Sequence, residues 1–143
     1  MHLINFTELQ GYEMAKVNVG FGREELIRDY RKSDRCIVDS DILAEEIWQR
    51  IKHLVPLQRN GEIAIGLNER FRFLRYDPGD FFEQHRDGTY VRGNEKGAER
   101  AGETSRITVQ IYLNTVEEGG ATTVYSDVTD LKYRVGRSFI LLL

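Results

Sequence analysis

The stretch Tyr76 to Asp87, YDPGDFFEQHRD, decides how the rest of the chain is interpreted. Pro78-Gly79 marks a tight turn, and we expect the residues after it to form a strand. Side chains alternate between the two faces of a strand, so His85 and Asp87 are predicted to point the same way. Imidazole and carboxylate are two of the three ligands in the 2-His-1-carboxylate site that holds non-haem Fe(II). The stretch therefore predicts two ligands of a metal site.

The composition is that of an ordinary globular protein. The chain has 143 residues, of which 41% are hydrophobic and 30% are charged, so we expect a single domain over residues 1–143 with a buried core. The formal net charge is -3, and Lys and Arg are scattered along the chain. A basic surface is therefore not expected, and neither nucleic acid nor a membrane is an expected partner.

The N-terminal residues and the cysteine content bear on location. Met1 to Gln10 lacks a basic start followed by a long apolar run, so we expect neither a signal peptide nor a transmembrane span. Cys36 is the only cysteine, which rules out an internal disulfide and fits a reducing compartment. A cytoplasmic or nuclear location is favoured, and the compartment itself is left open.

Helical patterns are found in the first half of the chain. Leu3 to Gln10 fits a short helix, and Ile42 to Val55 has apolar residues at helical spacing and Pro56 after its end. Trp48 on this second helix is expected to pack in the core rather than to bind a cofactor. The charged run from Arg23 to Arg35 is interpreted as a solvated face in preference to a binding surface.

The other two histidines are weaker candidates for a metal site. His2 at the start of the chain is expected to be solvated, and His53, in the last turn of the predicted helix, fits a role in complementing the helix dipole. By elimination, His85 is the histidine best placed to bind a metal.

Short strands dominate the second half. Phe71 to Tyr76 is rich in aromatic residues, and Ile107 to Leu113 alternates apolar residues with Thr108, Gln110 and Tyr112. Between these two segments, Gly88 to Ser105 is predicted to be a long polar loop of the kind that forms a lid or is disordered. Helices followed by many strands indicate an α+β fold with an antiparallel sandwich or barrel.

Motifs from Gly66 onwards carry a resemblance to a known family. They are GLNERF at 66–71, RYDPG at 75–79, HRDG at 85–88, TVQIYLN at 108–114 and EGGATT at 118–123. Together they resemble the prolyl 4-hydroxylase-like branch of the Fe(II)/2-oxoglutarate-dependent dioxygenases. The resemblance implies a double-stranded β-helix (jelly-roll) core with supporting N-terminal helices, and it implies that His85 and Asp87 are the catalytic metal ligands.

The resemblance also implies the cofactors and the reaction. Fe(II) is the metal, 2-oxoglutarate is a small-molecule co-substrate contacted by Tyr76 and Tyr112, and ascorbate is a further cofactor that the family admits. The reaction implied is hydroxylation of a side chain in a protein, peptide or small molecule. A phenol on the polar face of a strand can donate to a carboxylate, although core packing with a satisfied hydroxyl is the alternative for both tyrosines. Arg106 fits either contact with substrate or a solvated loop position.

One departure from the family pattern limits these expectations. The family has a second histidine shortly after a strand like Ser138 to Leu143, followed by a Lys or Arg, whereas no histidine follows His85 here. We therefore expect a domain that is incomplete at its C-terminus, and we leave open whether its N-terminus is complete. Weak iron binding and little or no activity of this chain alone are expected. The alternatives are a non-catalytic jelly-roll that binds a ligand or partner, and an ordinary surface pair on a structural β-domain.

Overall fold

The computed structural model of the chain describes residues 2–20, 22–56, 58–94, 97–125, 132–135 and 140–142. Contacts divide the chain into two compact units, the first formed by residues 1–38, 72–84 and 110–142 and the second by residues 39–71 and 85–109. The prediction of a single domain over residues 1–143 stays a prediction.

Two α-helices and thirteen short strands are defined in the described residues. The helices are α1 (Leu3–Gln10) and α2 (Asp41–Ile51). The strands are β1 (Glu13–Met14), β2 (Val17–Gly20), β3 (Arg23–Glu25), β4 (Arg31–Lys32), β5 (Asp34–Asp39), β6 (Gln58–Arg59), β7 (Glu62–Ile63), β8 (Arg70–Arg75), β9 (Phe81–Phe82), β10 (Gln110–Tyr112), β11 (Thr122–Tyr125), β12 (Lys132–Val135) and β13 (Ile140–Leu142).

The main sheet has five strands in the order β1-β5-β8-β13-β10. β13 lies between β8 and β10 and pairs antiparallel with both, with Leu141 opposite Phe73 on one side and Ile111 on the other. β13 is therefore an interior strand of this sheet. Within the described residues the sheet does not close into a barrel, because β1 and β10 are its edges. The predicted mixture of helices and largely antiparallel sheet is confirmed at this level.

α1 in the first unit has the bounds that its sequence predicts. Gly11 follows it with φ of 89°, a backbone conformation that glycine adopts without steric cost, and its N–H donates to the Thr7 carbonyl. Thr7 is fully buried, and the Tyr12 hydroxyl donates to Thr7 Oγ1 at 2.7 Å. Glycine thus ends the helix, and the chain turns back towards its buried face.

α2 in the second unit is capped by Ser40, whose Oγ accepts a hydrogen bond from the Leu43 N–H at 3.2 Å. Ala44 and Trp48 are its buried residues, which confirms the core position expected for Trp48. The α-helix ends at Ile51 and is followed by one turn of 3-10 helix. The segment predicted from Ile42 to Val55 is therefore correctly located but extends past the end of the α-helix. No helix in the described part of the chain is long and apolar enough to cross a membrane.

The charged run Arg23 to Arg35 is solvated at its start and buried at its end. The residues of β3 are exposed. Arg35, in contrast, is 7% exposed and donates to both carboxylate oxygens of Glu24 and to Glu13. The solvated-face prediction is therefore wrong for Arg35, because paired carboxylates allow a guanidinium to be buried.

The segment from Gly88 to Ser105, predicted as a long polar loop, folds back on itself in the second unit. Val91 forms an antiparallel bridge with Thr104, and the Ser105 N–H donates to the Tyr90 carbonyl at 2.9 Å. These contacts give the segment the register of an antiparallel hairpin. We call it the 88–105 hairpin below.

A buried ion pair fixes the 88–105 hairpin to the start of β8. Both Arg92 terminal nitrogens donate to the two carboxylate oxygens of Glu69, each at 2.7 Å, with the side chains 3% and 6% exposed. Arg92 Nε donates to Glu103 on the returning strand of the hairpin. The Arg92 guanidinium holds the pKa of Glu69 at about 2, far below its ordinary value of 4.5. Glu69 is therefore ionised at neutral pH.

Replacing the buried carboxylate tests this interaction. Glu69→Gln is expected to lower the free energy of unfolding by about 3 kcal/mol, because removing one partner leaves a buried charge only partly compensated. Urea unfolding at pH 7 measures this. The matched control is Glu62→Gln, whose ion pair with Arg106 is half exposed on both sides and is expected to contribute little to the free energy of unfolding.

The same pair predicts a pH dependence. A carboxyl with a lowered folded-state pKa stabilises the fold above its unfolded pKa, and this stability is lost as the pH falls towards the folded pKa. The difference in stability between the wild type and Glu69→Gln should therefore shrink as the pH falls from about 4.5 towards about 2. A difference that stays constant from pH 7 to pH 3 would contradict the assignment.

Candidate metal centre

His85 and Asp87 lie in an irregular segment of the second unit and not in a strand. β9, which follows the Pro78-Gly79 turn, ends at Phe82. The predicted strand through Asp87 is therefore wrong. In the described part of the chain, β9 pairs with the two residues of β4, and the Glu83 N–H donates to the Tyr30 carbonyl just beyond them. A strand extends only as far as such pairing does, and here the pairing stops before His85.

The two side chains nevertheless converge. His85 Nε2 is 3.5 Å from Asp87 Oδ1, and the side chains are 32% and 53% exposed. Two donors that bind one ion at about 2.1 Å are about 3.0 Å apart at a right angle and about 3.4 Å apart at a tetrahedral angle. The observed separation thus fits two ligands of one metal ion after a small adjustment. The partial exposure leaves the pair accessible from solvent.

Thr108 orients the carboxylate. Its Oγ1 donates a hydrogen bond to Asp87 Oδ2 at 2.7 Å, while Oδ1 faces the imidazole of His85. The imidazole, and then the Thr108 hydroxyl, lower the pKa of Asp87 against the effect of burial, which raises it. Asp87 is therefore an ionised carboxylate. Its Oδ2 is held by the hydrogen bond from Thr108, and its Oδ1 lies next to His85 Nε2. This arrangement suits a carboxylate that binds a metal through one oxygen.

The register of the 88–105 hairpin explains this contact. Val91 is opposite Thr104, and Asp87 lies as far before Val91 as Thr108 lies after Thr104. Asp87 and Thr108 are thus opposite each other on the continuation of the hairpin, although no strand is formed there. Cross-strand neighbours in such a register are close enough for their side chains to interact.

Sequence reasoning placed Thr108 on the polar face of a strand but gave it no role. The strand expected from Ile107 to Leu113 is shorter in the structure, where β10 covers Gln110–Tyr112. The available signal was that a threonine of the TVQIYLN motif shares the polar face with Tyr112. That signal could not identify Asp87 as its partner, because the pairing depends on the fold of the intervening hairpin.

Ile107 and Val109, on either side of Thr108, line a cavity of about 680 Å³ within the second unit. Trp48 of α2 is part of the same lining, and neither His85 nor Asp87 is. Ile107 and Val109 thus line a cavity that residues of α2 also line, while Thr108 between them contacts Asp87. This matches the alternation expected from the sequence.

Arg106 also lines the cavity and forms an ion pair with Glu62. Both side chains of the pair are 51% exposed. This position is that of a solvated arginine with a carboxylate neighbour. Contact between Arg106 and a substrate stays a prediction.

Tyr76 and Tyr112 belong to the first unit. The Tyr112 hydroxyl donates to Thr122 Oγ1 at 2.8 Å and lies 3.3 Å from Gln110 Oε1. Tyr76 is half-buried, and burial raises its pKa. The Tyr112 hydroxyl thus acts as a hydrogen-bond donor, and the raised pKa keeps the Tyr76 phenol neutral at physiological pH. Their contact with 2-oxoglutarate stays a prediction of the resemblance.

No group of three or more His, Cys, Asp or Glu side chains within the described ranges is arranged to hold a metal ion. His2 is exposed, as predicted. His53 is exposed and lies in the 3-10 turn that follows α2, and its interaction with the helix dipole stays a prediction. The residues that could hold a metal are therefore His85 and Asp87, as a pair.

The chain matches no protein-family model, no curated protein and no solved structure.

The pKa of Asp87 tests the geometry of the site without any metal. We expect His85→Ala to raise this pKa towards its ordinary value, and Thr108→Val to raise it less, because the imidazole makes the larger contribution. NMR titration of the Asp87 carboxyl carbon measures both. Thr89→Val, at an exposed threonine of the 88–105 hairpin, should leave the pKa unchanged. A larger effect of Thr108→Val than of His85→Ala would contradict the geometry.

Proposed function

We propose that the protein is an Fe(II)- and 2-oxoglutarate-dependent oxygenase of the prolyl 4-hydroxylase-like type, with a jelly-roll core, that hydroxylates a side chain of a protein or small molecule. The observation that carries the proposal is the approach of His85 Nε2 to Asp87 Oδ1 at 3.5 Å, with the second carboxylate oxygen held by Thr108. The motifs around these residues supply the reaction class.

The roles of the residues follow from their chemistry. Neutral imidazole and ionised carboxylate are the ligand types that non-haem Fe(II) takes from proteins. When bound, Fe(II) with 2-oxoglutarate supplies the activation of oxygen, with succinate and carbon dioxide as products of the co-substrate. His85 and Asp87 present the two donor atoms, and Thr108 restricts rotation of the carboxylate. Tyr76 and Tyr112 are proposed as donors to 2-oxoglutarate, by resemblance alone.

Metal binding gives the first test. We expect Mn(II), used as a surrogate for Fe(II), to bind weakly, because two protein ligands supply less affinity than three. His85→Ala should abolish this binding, and His53→Ala, at an exposed histidine of the same unit, should leave it intact. Titration followed by electron paramagnetic resonance measures free Mn(II). Equal binding by the wild type and His85→Ala would contradict the site.

Thr108→Val is a milder variant at the same site. It keeps the shape of the side chain and removes the donor to Asp87 Oδ2. Loss of a group that orients a metal ligand commonly weakens binding by about 10- to 100-fold, and we expect the lower end because the contact is exposed. The same Mn(II) titration detects the change, with Thr89→Val as the matched control. An affinity unaffected by Thr108→Val would show that the hydroxyl does not orient the ligand.

A non-catalytic binding module is the second candidate. It is favoured by the grouping of only two metal-binding side chains among the residues that the structure describes. Succinate formation from 2-oxoglutarate separates the two functions. For the oxygenase we expect slow turnover that requires iron and is lost in Asp87→Ala. Metal binding that depends on His85, with no succinate formed under any condition, would favour the binding module instead.

A further inference from the structure

The cavity of about 680 Å³ in the second unit is not explained by the proposed metal site, because neither His85 nor Asp87 lines it. Its volume is in the range of sites that enclose a small organic molecule, about 300–1,000 Å³. All of its described lining residues lie within residues 39–71 and 85–109. The cavity is therefore a candidate binding site formed by residues of the second unit.

Much of the lining is apolar and remains accessible. One face of α2 contributes Ala44 and Trp48, which are both buried. Ile63, Ile65 and Ile107 also line the cavity, and they are 71%, 68% and 38% exposed. Apolar side chains that stay exposed around a concave surface gain free energy when a ligand covers them. The ligand is therefore expected to have an apolar body.

The charged residues of the lining leave a surplus of negative charge. Among the residues that the structure describes, they are four acidic residues and three arginines: Asp41, Glu45, Glu62, Glu103, Arg92, Arg100 and Arg106. Each arginine is already paired with a carboxylate of the lining. Arg92 is also neutralised by Glu69, which is not in the lining. The surplus therefore disfavours an anionic ligand and favours a cationic one.

Glu45 is the acidic residue of the lining that has no cationic partner in the described part of the chain. Its Oε1 accepts a hydrogen bond from the neutral amide of Gln49 at 2.6 Å. Glu45 is exposed and precedes Trp48 by three residues, so both belong to the face of α2 that lines the cavity. One carboxylate is thus available to a ligand beside the apolar wall.

We infer that this cavity binds a small organic molecule that carries one protonated amine on an apolar body. The amine donates to Glu45 in a charge-assisted hydrogen bond, and the body covers Trp48 and the exposed isoleucines. The inference goes beyond the proposed function, since it requires neither a bound metal nor 2-oxoglutarate.

Trp48 is the only tryptophan of the chain, so its fluorescence reports binding in the cavity. The test is titration of phenethylamine into the full chain in the presence of EDTA. We expect a saturable change in Trp48 emission. Phenethyl alcohol, which keeps the aromatic body and lacks the charge, should bind about three- to fivefold more weakly, the effect of one partly exposed ion pair. Phenylpropionate, with the opposite charge, should bind more weakly still.

Variants at the cavity separate the roles of charge and apolar contact. Glu45→Gln should weaken phenethylamine binding by about three- to fivefold and remove the preference over phenethyl alcohol. Glu46→Gln is the matched control, because Glu46 is an exposed neighbour on α2 that does not line the cavity. Ile65→Ser should weaken the binding of phenethylamine and phenethyl alcohol alike. Ile42→Ser, at an exposed isoleucine outside the lining, should change neither.

The comparison of the three ligands on the wild type keeps the test decisive if a variant does not fold. Absence of a saturable change in Trp48 emission, phenylpropionate bound as tightly as phenethylamine, or equal phenethylamine affinity in the wild type and folded Glu45→Gln would each overturn the inference. A blocked lysine-rich peptide that binds more tightly than phenethylamine would overturn it in favour of a protein partner. Mn(II) binding by His85 and Asp87 is measured separately, so failure of one proposal is distinguishable from failure of the other.

Discussion

The ion pair between Arg92 and Glu69 is the interaction on which the geometry of the second unit depends. Two charges that are almost fully buried can be accommodated only if each satisfies the other, and here both guanidinium terminal nitrogens meet both carboxylate oxygens. Because Arg92 also contacts Glu103, the pair holds both arms of the 88–105 hairpin. The arms in turn bring Asp87 opposite Thr108. The orientation of Asp87, a candidate metal ligand, therefore depends on a buried ion pair formed by residues elsewhere in the sequence.

The parts of the fold that depend on local sequence were predicted well. α1 ends before Gly11, α2 begins after a serine cap, and β8 covers most of the aromatic-rich segment from Phe71 to Tyr76. Each of these features is determined by residues within a few positions of one another. Strand lengths were predicted less well, as β9 and β10 show, because a strand extends only as far as its partner does. The partner lies elsewhere in the chain and leaves no local pattern.

The candidate site likewise combines features that local sequence predicts with features that depend on distant parts of the chain. The sequence predicted that His85 and Asp87 share a face, and the structure brings them together through an irregular segment and not through a strand. Thr108 was missed because its contact with Asp87 depends on the register of the hairpin between them. The charged run from Arg23 to Arg35 likewise could not reveal that Arg35 has two carboxylate partners, Glu13 and Glu24. Charge is visible in a sequence, whereas pairing is a property of the fold.

The most direct measurement of the central claim is paramagnetic broadening by substoichiometric Mn(II) in amide NMR spectra of the protein. If His85 and Asp87 bind the ion together, the signals of residues 85–87 and of Thr108 should be lost first, because Thr108 contacts Asp87. Signals near His53, and near the exposed acidic residues of β3, should persist at the same Mn(II) concentration. Broadening centred on those other residues, or none at all, would contradict the proposed metal site.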